Sequence, residues 1–442
     1  MTVRIENNKI LNNTMTSTAA GTQNNCLGGG LIIQYGNFVV TKNLISGNTA
    51  SSLSTGDINV GGGMHAYGCS VQFRENIVTG NQVQGPSNIS SYAGGVSFWA
   101  AEVQRQTLVV NNIISSNKAI GGNLGGGGGI MAFDEAARIE NNIIVKNTAY
   151  LAGGVGCARV YLAASEKPAD DGGGAVFGRI SEQGHHSSLY TPSMVVAPPT
   201  LINNTIAYNK ATSGSGGGIA TRGSWIPKVI NSIVWGDTAS NEIYIQSGSI
   251  RVLYSNVTNG WPSDSGNISV NPQFADGTYR LANTSGCLQK GIDSVQIDGA
   301  WYHAPPFCTY GMPRPSPAGT RPDIGACENP TLVDGVDEPV NGLPKTFALE
   351  QNYPNPFNPT TTIKYQIPNS NRQMGFGVSY LGFVSLKVFD ILGREVATLV
   401  NEVQGAGFKS VQWDASGVAS GVYLYRLQAG GFVETKKCLV LR

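Results

Sequence analysis

RIENN, at Arg4–Asn8, returns unchanged at Arg138–Asn142. Around it lies a set of similar segments: VRIENNKI, VVTKNLI, VQFRENIV, LVVNNII, ARIENNII, PTLINNTI and KVINSIV. Each is a β-branched run ending in an asparagine step, at Asn8, Asn43, Asn76, Asn112, Asn142, Asn204 and Asn231. Successive steps lie 35, 33, 36, 30, 62 and 27 residues apart. A second segment alternates with the first, a glycine run leading into an apolar strand: GGGLII, GGGMHA, AGGVSF, GGGGGIMAF, AGGVGC, GGGAVF and GGGIAT. From the last glycine of a run to the next step the distance is 13 in four units (30 to 43, 63 to 76, 129 to 142, 218 to 231) and 17 in another (95 to 112). The 62-residue interval reads as two units with one degenerate step.

Two features that keep a common spacing mark a solenoid, built from units that cannot bury their apolar face alone. Glycine triplets and β-branched runs oppose helix in every unit. A parallel β-helix fits instead, each turn of chain forming one rung roughly 4.8 Å from the next. Ile and Val of the strands point inward and stack on like residues. The asparagine turns a corner, tolerating the left-handed region, and its side-chain amide reaches the amide one rung away to build a ladder. On this reading RIENN marks the same corner on two rungs. The copy at Arg4 also means that the chain starts inside a rung. Missing N-terminal rungs, a missing cap and a missing signal peptide are expected, since MTVRIENNKILNN has neither a basic n-region nor an apolar h-region.

Composition agrees. Charged residues make up 13% of the 442, where about a quarter is usual, and glycine numbers 58. The net charge of +1 disfavours nucleic acid and anionic membrane as partners. No apolar run is long enough to span a bilayer.

The rungs fade after residue 250. Residues 271–328 contain NPQFADGTYRLANTSGCLQKGID and then RPDIGACE. This resembles the closing segment of bacterial secreted right-handed β-helix proteins, which carry NPxF, a GxYxL strand, an SPCIDAG-like stretch and a final DIGAYE. Here SGCLQKGID replaces SPCIDAG, and Cys327 stands where tyrosine is usual. A linker, NPTLVDGVDEPVNGLPK, follows. Then come LEQNYPNPFNPTTTIKYQIP, VSLKVFDILGREVATLV, AGFKSVQWDASGVASGVYLYRLQAGG and TKKCLVLR. These resemble the C-terminal sorting domain of type IX (Por) secretion substrates, type A. The carry-over places the motif on Tyr353, Pro354, Asn355, Pro356, Phe357, Asn358 and Pro359, on Gly421, Val422 and Tyr423, and on Lys436 and Lys437. The stretch NSNRQMGFGVSYLGF departs from the family as a loop insertion.

Independently, alternating strands at 361–367, 384–390, 409–414, 421–428 and 432–440 point to an Ig-like β-sandwich, with Trp413, Tyr423, Tyr425 and Phe389 as core aromatics. The expected fold is therefore all-β: a right-handed parallel β-helix solenoid followed by an Ig-like antiparallel β-sandwich. The expected divisions are rungs over 1–250, a closing segment over 251–330, a linker over 331–346 and the sorting domain over 347–442. The resemblance implies export by the type IX secretion machinery, to the medium or the outer-membrane cell surface.

The chemistry is less legible. Seven cysteines show no CxxC pair, which argues against zinc. Cys287, Cys308 and Cys327 lie where a disulfide would help most, while Cys26, Cys69, Cys157 and Cys438 read as buried thiols. No metal site and no cofactor are expected. Lyases and hydrolases on this fold use clustered acids from adjacent rungs, and Ca²⁺ enters only for a lyase. The acid candidates are Asp134 with Glu135, and Asp170 with Asp171. From Gly174 to Asn204 is 30 residues where other rungs use 13, so about 17 extra residues fall within GRISEQGHHSSLYTPSMVVAPPT. Insertions on a regular scaffold are where function concentrates. Asp170, Asp171, Arg179, Glu182, His185, His186 and Tyr190 form the candidate groove, read against a plain solvated loop. The leading functional reading is a monomeric, non-catalytic adhesion or glycan-binding protein with extracellular polysaccharide as partner. The alternative is a polysaccharide lyase or glycoside hydrolase acting in that groove.

Overall fold

The computed structural model describes residues 2–17, 26–52, 59–86, 91–100, 106–121, 125–133, 136–158, 197–262, 265–275, 277–329, 347–367, 382–404, 407–429 and 432–441, and within them there is no α-helix. The chain forms two compact units, the first spanning Met1–Ala275 and Tyr279–Leu332 and the second dominated by Val333–Arg442.

The first unit is a parallel β-helix. Each strand pairs in parallel with strands one repeat before and after it, as Ile77–Thr79 does with Leu44–Ser46 and Ile113–Ser115. Long sheets of 13, eight and six strands run through the stack. Because neighbours are in register, one inward position forms a column. Val40, Phe73, Val109, Ile139, Leu201, Val229 and Val252 are paired rung to rung and all buried. The glycine runs serve two needs. Gly61 is left-handed at φ +69°, and a Cβ on Gly62 or Gly63 would sit 2.5 Å from the Gln82 carbonyl or 2.7 Å from the Gly95 carbonyl. Only glycine lets the rungs close up there.

From Asn43 to Asn204 the ladder asparagines are buried, and the corner is one residue earlier. Asn7, Lys42, Glu75, Asn111, Asn141, Asn203 and Asn231 hold positive φ. Asn231 is thus a corner residue, and the step on its rung is Ser232, whose Oγ accepts from the Asn204 amide at 3.1 Å. Asn112 is typical of the rest. Its Oδ1 accepts from Asn76 N and Nδ2 at 2.9 and 3.0 Å, and its own N and Nδ2 donate to Asn142 Oδ1, both at 2.9 Å. Its second amide proton serves the Phe73 and Val110 carbonyls at 2.9 and 3.0 Å. Every polar atom of the buried amide is satisfied.

The 62-residue interval is one rung, not two. Asn142 N donates directly to Asn204 Oδ1 at 3.0 Å, and Val155 pairs with Ile219. Residues 159–196, including the GGGAVF run, lie outside the described residues.

A second ladder runs five residues after the first, through Asn13, Asn48, Asn81, Asn117, Asn147 and Asn209 to Asp237. Its preceding residues, Asn12, Gly47, Gly80, Ser116, Lys146, Tyr208 and Gly236, are again left-handed. Each rung therefore bends twice around an inward amide.

The segment after 257 lies across the side of the stack, held by the outward asparagines of three successive corners. Asn141 Nδ2 donates to the Phe307 carbonyl at 2.6 Å, Asn203 Nδ2 to Asp323 O at 3.2 Å, and Asn231 Nδ2 to Ile292 O at 2.8 Å. Arg314 anchors the far end. Its guanidinium, with a fully buried side chain, contacts Glu328 at 2.6 Å, Asn141 Oδ1 at 2.5 Å and the Gly325 carbonyl at 3.0 Å. All seven cysteines are buried thiols.

The second unit is a sandwich of a three-stranded and a four-stranded antiparallel sheet. The strands are Ala348–Leu349, Thr360–Ile367 and Gly407–Asp414 in one, and Glu395–Gln404, Gly382–Phe389, Gly421–Ala429 and Phe432–Val440 in the other. Glu395–Gln404 was not among the strands read from the sequence. Trp413, Tyr423 and Tyr425 are buried, joined by Phe357 and Tyr365. Phe389 is only partly buried and lies under the Arg426 guanidinium, 5.1 Å from ring centroid to Cζ.

Candidate functional site

The candidate groove falls outside the described residues: Asp134, Glu135, Asp170, Asp171, Arg179, Glu182, His185, His186 and Tyr190 all lie there. Among the described residues no group of three or more His, Cys, Asp or Glu side chains could hold a metal ion.

Among the described residues acids meet in two places, both buried. Asp237 ends the second ladder, its Oδ1 accepting from Asn209 N and Nδ2 at 2.6 and 2.9 Å. The Glu242 carboxylate accepts from the Asp237 amide, both oxygens at 3.2 Å. Burial and the neighbouring Glu242 push the Asp237 carboxyl well above the usual carboxylate range, and burial raises Glu242 too. Paired carboxylates of this kind suit acid–base chemistry. Here both groups are buried, and Asp237 Oδ1 is already taken by Asn209. The pair terminates a structural ladder.

The other place is RPDIGACE. Asp323 collects the Gln289 and Asn329 amides, each at 2.8 Å, while Glu328 pairs with Arg314 and accepts from Ser316 N at 3.2 Å. Burial, with the Glu328 charge beside it, pushes Asp323 up to about 7; burial also raises Glu328, against the pull of Arg314. These acids hold three turns of the closing segment together.

Exposed aromatic side chains lie on a β-hairpin that the sequence reading passed over. Ser294–Ile297 and Ala300–His303 are joined by Asp298-Gly299, both at positive φ (51° and 81°). Asp-Gly between alternating residues is a strong hairpin signal. One face packs onto the solenoid through Ile297, Val295 and Tyr302 against Ile202 and Ile230, with Lys228 5.5 Å from the Tyr302 ring centroid. The opposite face presents Trp301 and His303, paired across the hairpin with Gln296 and Ser294. Trp301 is 59% exposed, and its ring and the His303 ring stack at 6.3 Å with 21° between planes. A second set of rings lies on the outer face of the glycine-run strands, Tyr35, Tyr67, Trp99 and Phe133 on successive rungs at 5.5, 5.8 and 5.2 Å. Only its first end is open: Tyr35 is 62% exposed, whereas Trp99 and Phe133 are buried. Beside it, burial lowers the His65 imidazole to about 4, so this ring is neutral, and Nδ1 meets Ser97 Oγ at 2.7 Å.

In the sandwich, the YPNPFNP segment lies along the last strand. Phe357 is buried 5.4 Å from Trp413, its amide donates to the Leu439 carbonyl at 3.0 Å, and Leu441 N returns a bond to Phe357 O at 2.9 Å. Asn355 Oδ1 accepts from Leu439 N at 2.9 Å, covering an otherwise open strand edge. Tyr353, Pro354, Pro356, Asn358 and Pro359 remain exposed. Val422 is 40% exposed, while the Tyr423 hydroxyl donates to the Ala419 carbonyl at 2.9 Å. Lys436 Nζ meets Glu434 at 3.4 Å, and the Lys437 carbonyl accepts from Gln351 Nε2 at 2.8 Å.

This sandwich is where the chain is similar to a known family. Residues 351–441 match the secretion system C-terminal sorting domain, so the second unit is a type IX sorting domain and marks the chain for secretion or cell-surface attachment. No curated protein matches the chain, and no solved structure does. No helix is long and apolar enough to cross a membrane among the described residues.

Proposed function

We propose that the protein is a glycan-binding β-helix working outside the producing cell, as an adhesin or a polysaccharide-binding factor. The observation that carries this is the Trp301–His303 hairpin face. An exposed indole beside a parallel imidazole offers a flat surface for the apolar face of a sugar ring. Gln296 and Ser294, opposite them on the same face, supply amide and hydroxyl groups for sugar hydroxyls. The hairpin is fixed to the solenoid by apolar contacts and by the Arg251–Asp298 ion pair at 3.1 Å, so little ordering cost attends binding.

The test is a glycan array with the purified protein, followed by titration of the best ligand against Trp301→Ala. Loss of about 1–3 kcal/mol of binding, the range for an aromatic stacking contact, is expected with an unchanged melting temperature. Equal binding by the variant would remove the hairpin from the site. Release of unsaturated or reducing ends from a uronate polymer would favour the lyase or hydrolase reading.

A further inference from the structure

Cys308 and Cys327 are placed as a pair by contacts that do not involve sulfur. Thr309 N and Thr309 Oγ1 both donate to the Ala326 carbonyl, at 3.0 and 2.9 Å. The first of these bonds joins the peptide group linking Cys308 to Thr309 with the one linking Ala326 to Cys327. The α-carbons of Cys308 and Cys327 flank that bond, so they lie roughly 4.5–6.5 Å apart whichever way the two segments run. A disulfide requires about 4.4–6.8 Å. Both residues are buried, at 0% and 2% exposure.

The same two segments are tied again beside the cysteines. Arg314 N donates to the Pro306 carbonyl at 2.9 Å, and Arg314 Nε meets Glu328, next to Cys327, at 2.6 Å. Cys308 and Cys327 therefore stand at the neck of the loop that carries Arg314. The remaining cysteines have a different setting: Cys26, Cys69, Cys157, Cys287 and Cys438 each pack within an apolar cluster, as small hydrophobes do.

We infer that Cys308 and Cys327 are joined by a disulfide in the exported protein, closing the loop over residues 308–327. This rests on the export that the sorting domain marks, since thiols outside the cytoplasm meet oxidants. The bond forms by exchange with a disulfide-bearing oxidant of the cell envelope, before folding buries the sulfurs. One cysteine thiolate attacks the oxidant's disulfide and expels one of its sulfurs as a thiolate; the second cysteine thiolate attacks the mixed disulfide and releases the other. The protein gives up two protons and two electrons, and the oxidant leaves as a dithiol.

Trypsin cuts after Lys290 and Lys345 but not at Arg314-Pro315 or Arg321-Pro322, so Cys308 and Cys327 share the peptide 291–345 and Cys287 falls in 281–290. The test recovers the full chain, given a periplasmic signal sequence, from periplasm or medium; it is denatured, alkylated without reductant, digested and analysed by mass spectrometry. Peptide 291–345 is expected two hydrogens lighter than its reduced form and unalkylated, and to take two alkyl groups once reduced first. Reductant should also lower the melting temperature by roughly 4–10 °C, the range for a loop of this length, and leave that of Cys308→Ala/Cys327→Ala unchanged. Double alkylation of 291–345 without reduction, or a bridge from it to 281–290, overturns the pair. The periplasmic chain gives the same readout where export fails, so the bond and the export reading fail separately.

Discussion

Arg314→Met is expected to destabilise the first unit by roughly 3–5 kcal/mol, the range for removing one partner of a buried ion pair. The guanidinium and the Glu328 carboxylate are both fully shielded from water. Taking away the cation leaves the carboxylate with backbone donors from Ser316 and Asp323 only. It also leaves Asn141 Oδ1 and the Gly325 carbonyl without this donor. Glu328 is already raised, and without Arg314 it would rise further, so the variant should lose more stability at pH 8 than at pH 5. Arg314→Met/Glu328→Leu should recover most of the loss, because removing both charges strands neither. Denaturant unfolding of the three proteins at both pH values checks this. A loss below about 1 kcal/mol in the single variant would mean that the pair is solvated.

The second large effect concerns the ladders and has two signs. Asn112→Ala should cost roughly 2–4 kcal/mol, since stranding a buried polar group costs about 1–3 and more than one is stranded. The Asn76 amide, the Phe73 carbonyl and Asn142 Oδ1 all lose bonds. Asp237→Asn should do the reverse. The new side chain repeats what the preceding rungs use: its carbonyl takes both Asn209 bonds and its amide faces Glu242. The sign with pH follows from the raised carboxyl. A group protonated more readily in the folded state contributes stability below its unfolded value near 3.8, and loses it as pH rises toward the folded value. Asp237→Asn should therefore differ little from wild type near pH 4 and be more stable by about 1–3 kcal/mol at pH 8. The depressed His65 acts oppositely, losing stability as pH falls from 6.5 toward 4, but it is common to both proteins and cancels. A destabilised Asp237→Asn at pH 8 would show that the carboxylate is needed there.

The fold was legible because its two constraints are local in sequence. A strand column needs apolar residues at one register, and a corner needs a residue that accepts positive φ; both repeat with the rung. The 27-residue spacing misled because Ser232 holds the ladder position on that rung, which leaves the corner residue Asn231 as the asparagine visible in the sequence. The 62-residue interval misled because a glycine run alone does not define a rung; the pairing of Val155 with Ile219 does. The second ladder had a plain signal, an asparagine five residues after each step, with Asp237 in its place on the last rung. Site chemistry was far less legible. Asp323 and Glu328 announce nothing until Arg314 is beside them, and Trp301 and His303 become a platform only because Asp298-Gly299 folds the chain back. The sorting domain was the most legible part, since its short Pro-Asn motif caps a strand edge.

The most direct measurement is cell fractionation of the protein, with a periplasmic signal sequence added, in matched type IX hosts with and without the secretion pore. A chain lacking Phe432–Arg442 is run beside the intact one. That deletion removes a strand of the four-stranded sheet and the partner edge of Phe357. Delivery of the intact chain to surface or medium only in the pore-containing strain, and retention of the truncated chain in the periplasm of both, is the predicted result. Equal delivery of the intact chain with and without the pore would contradict it.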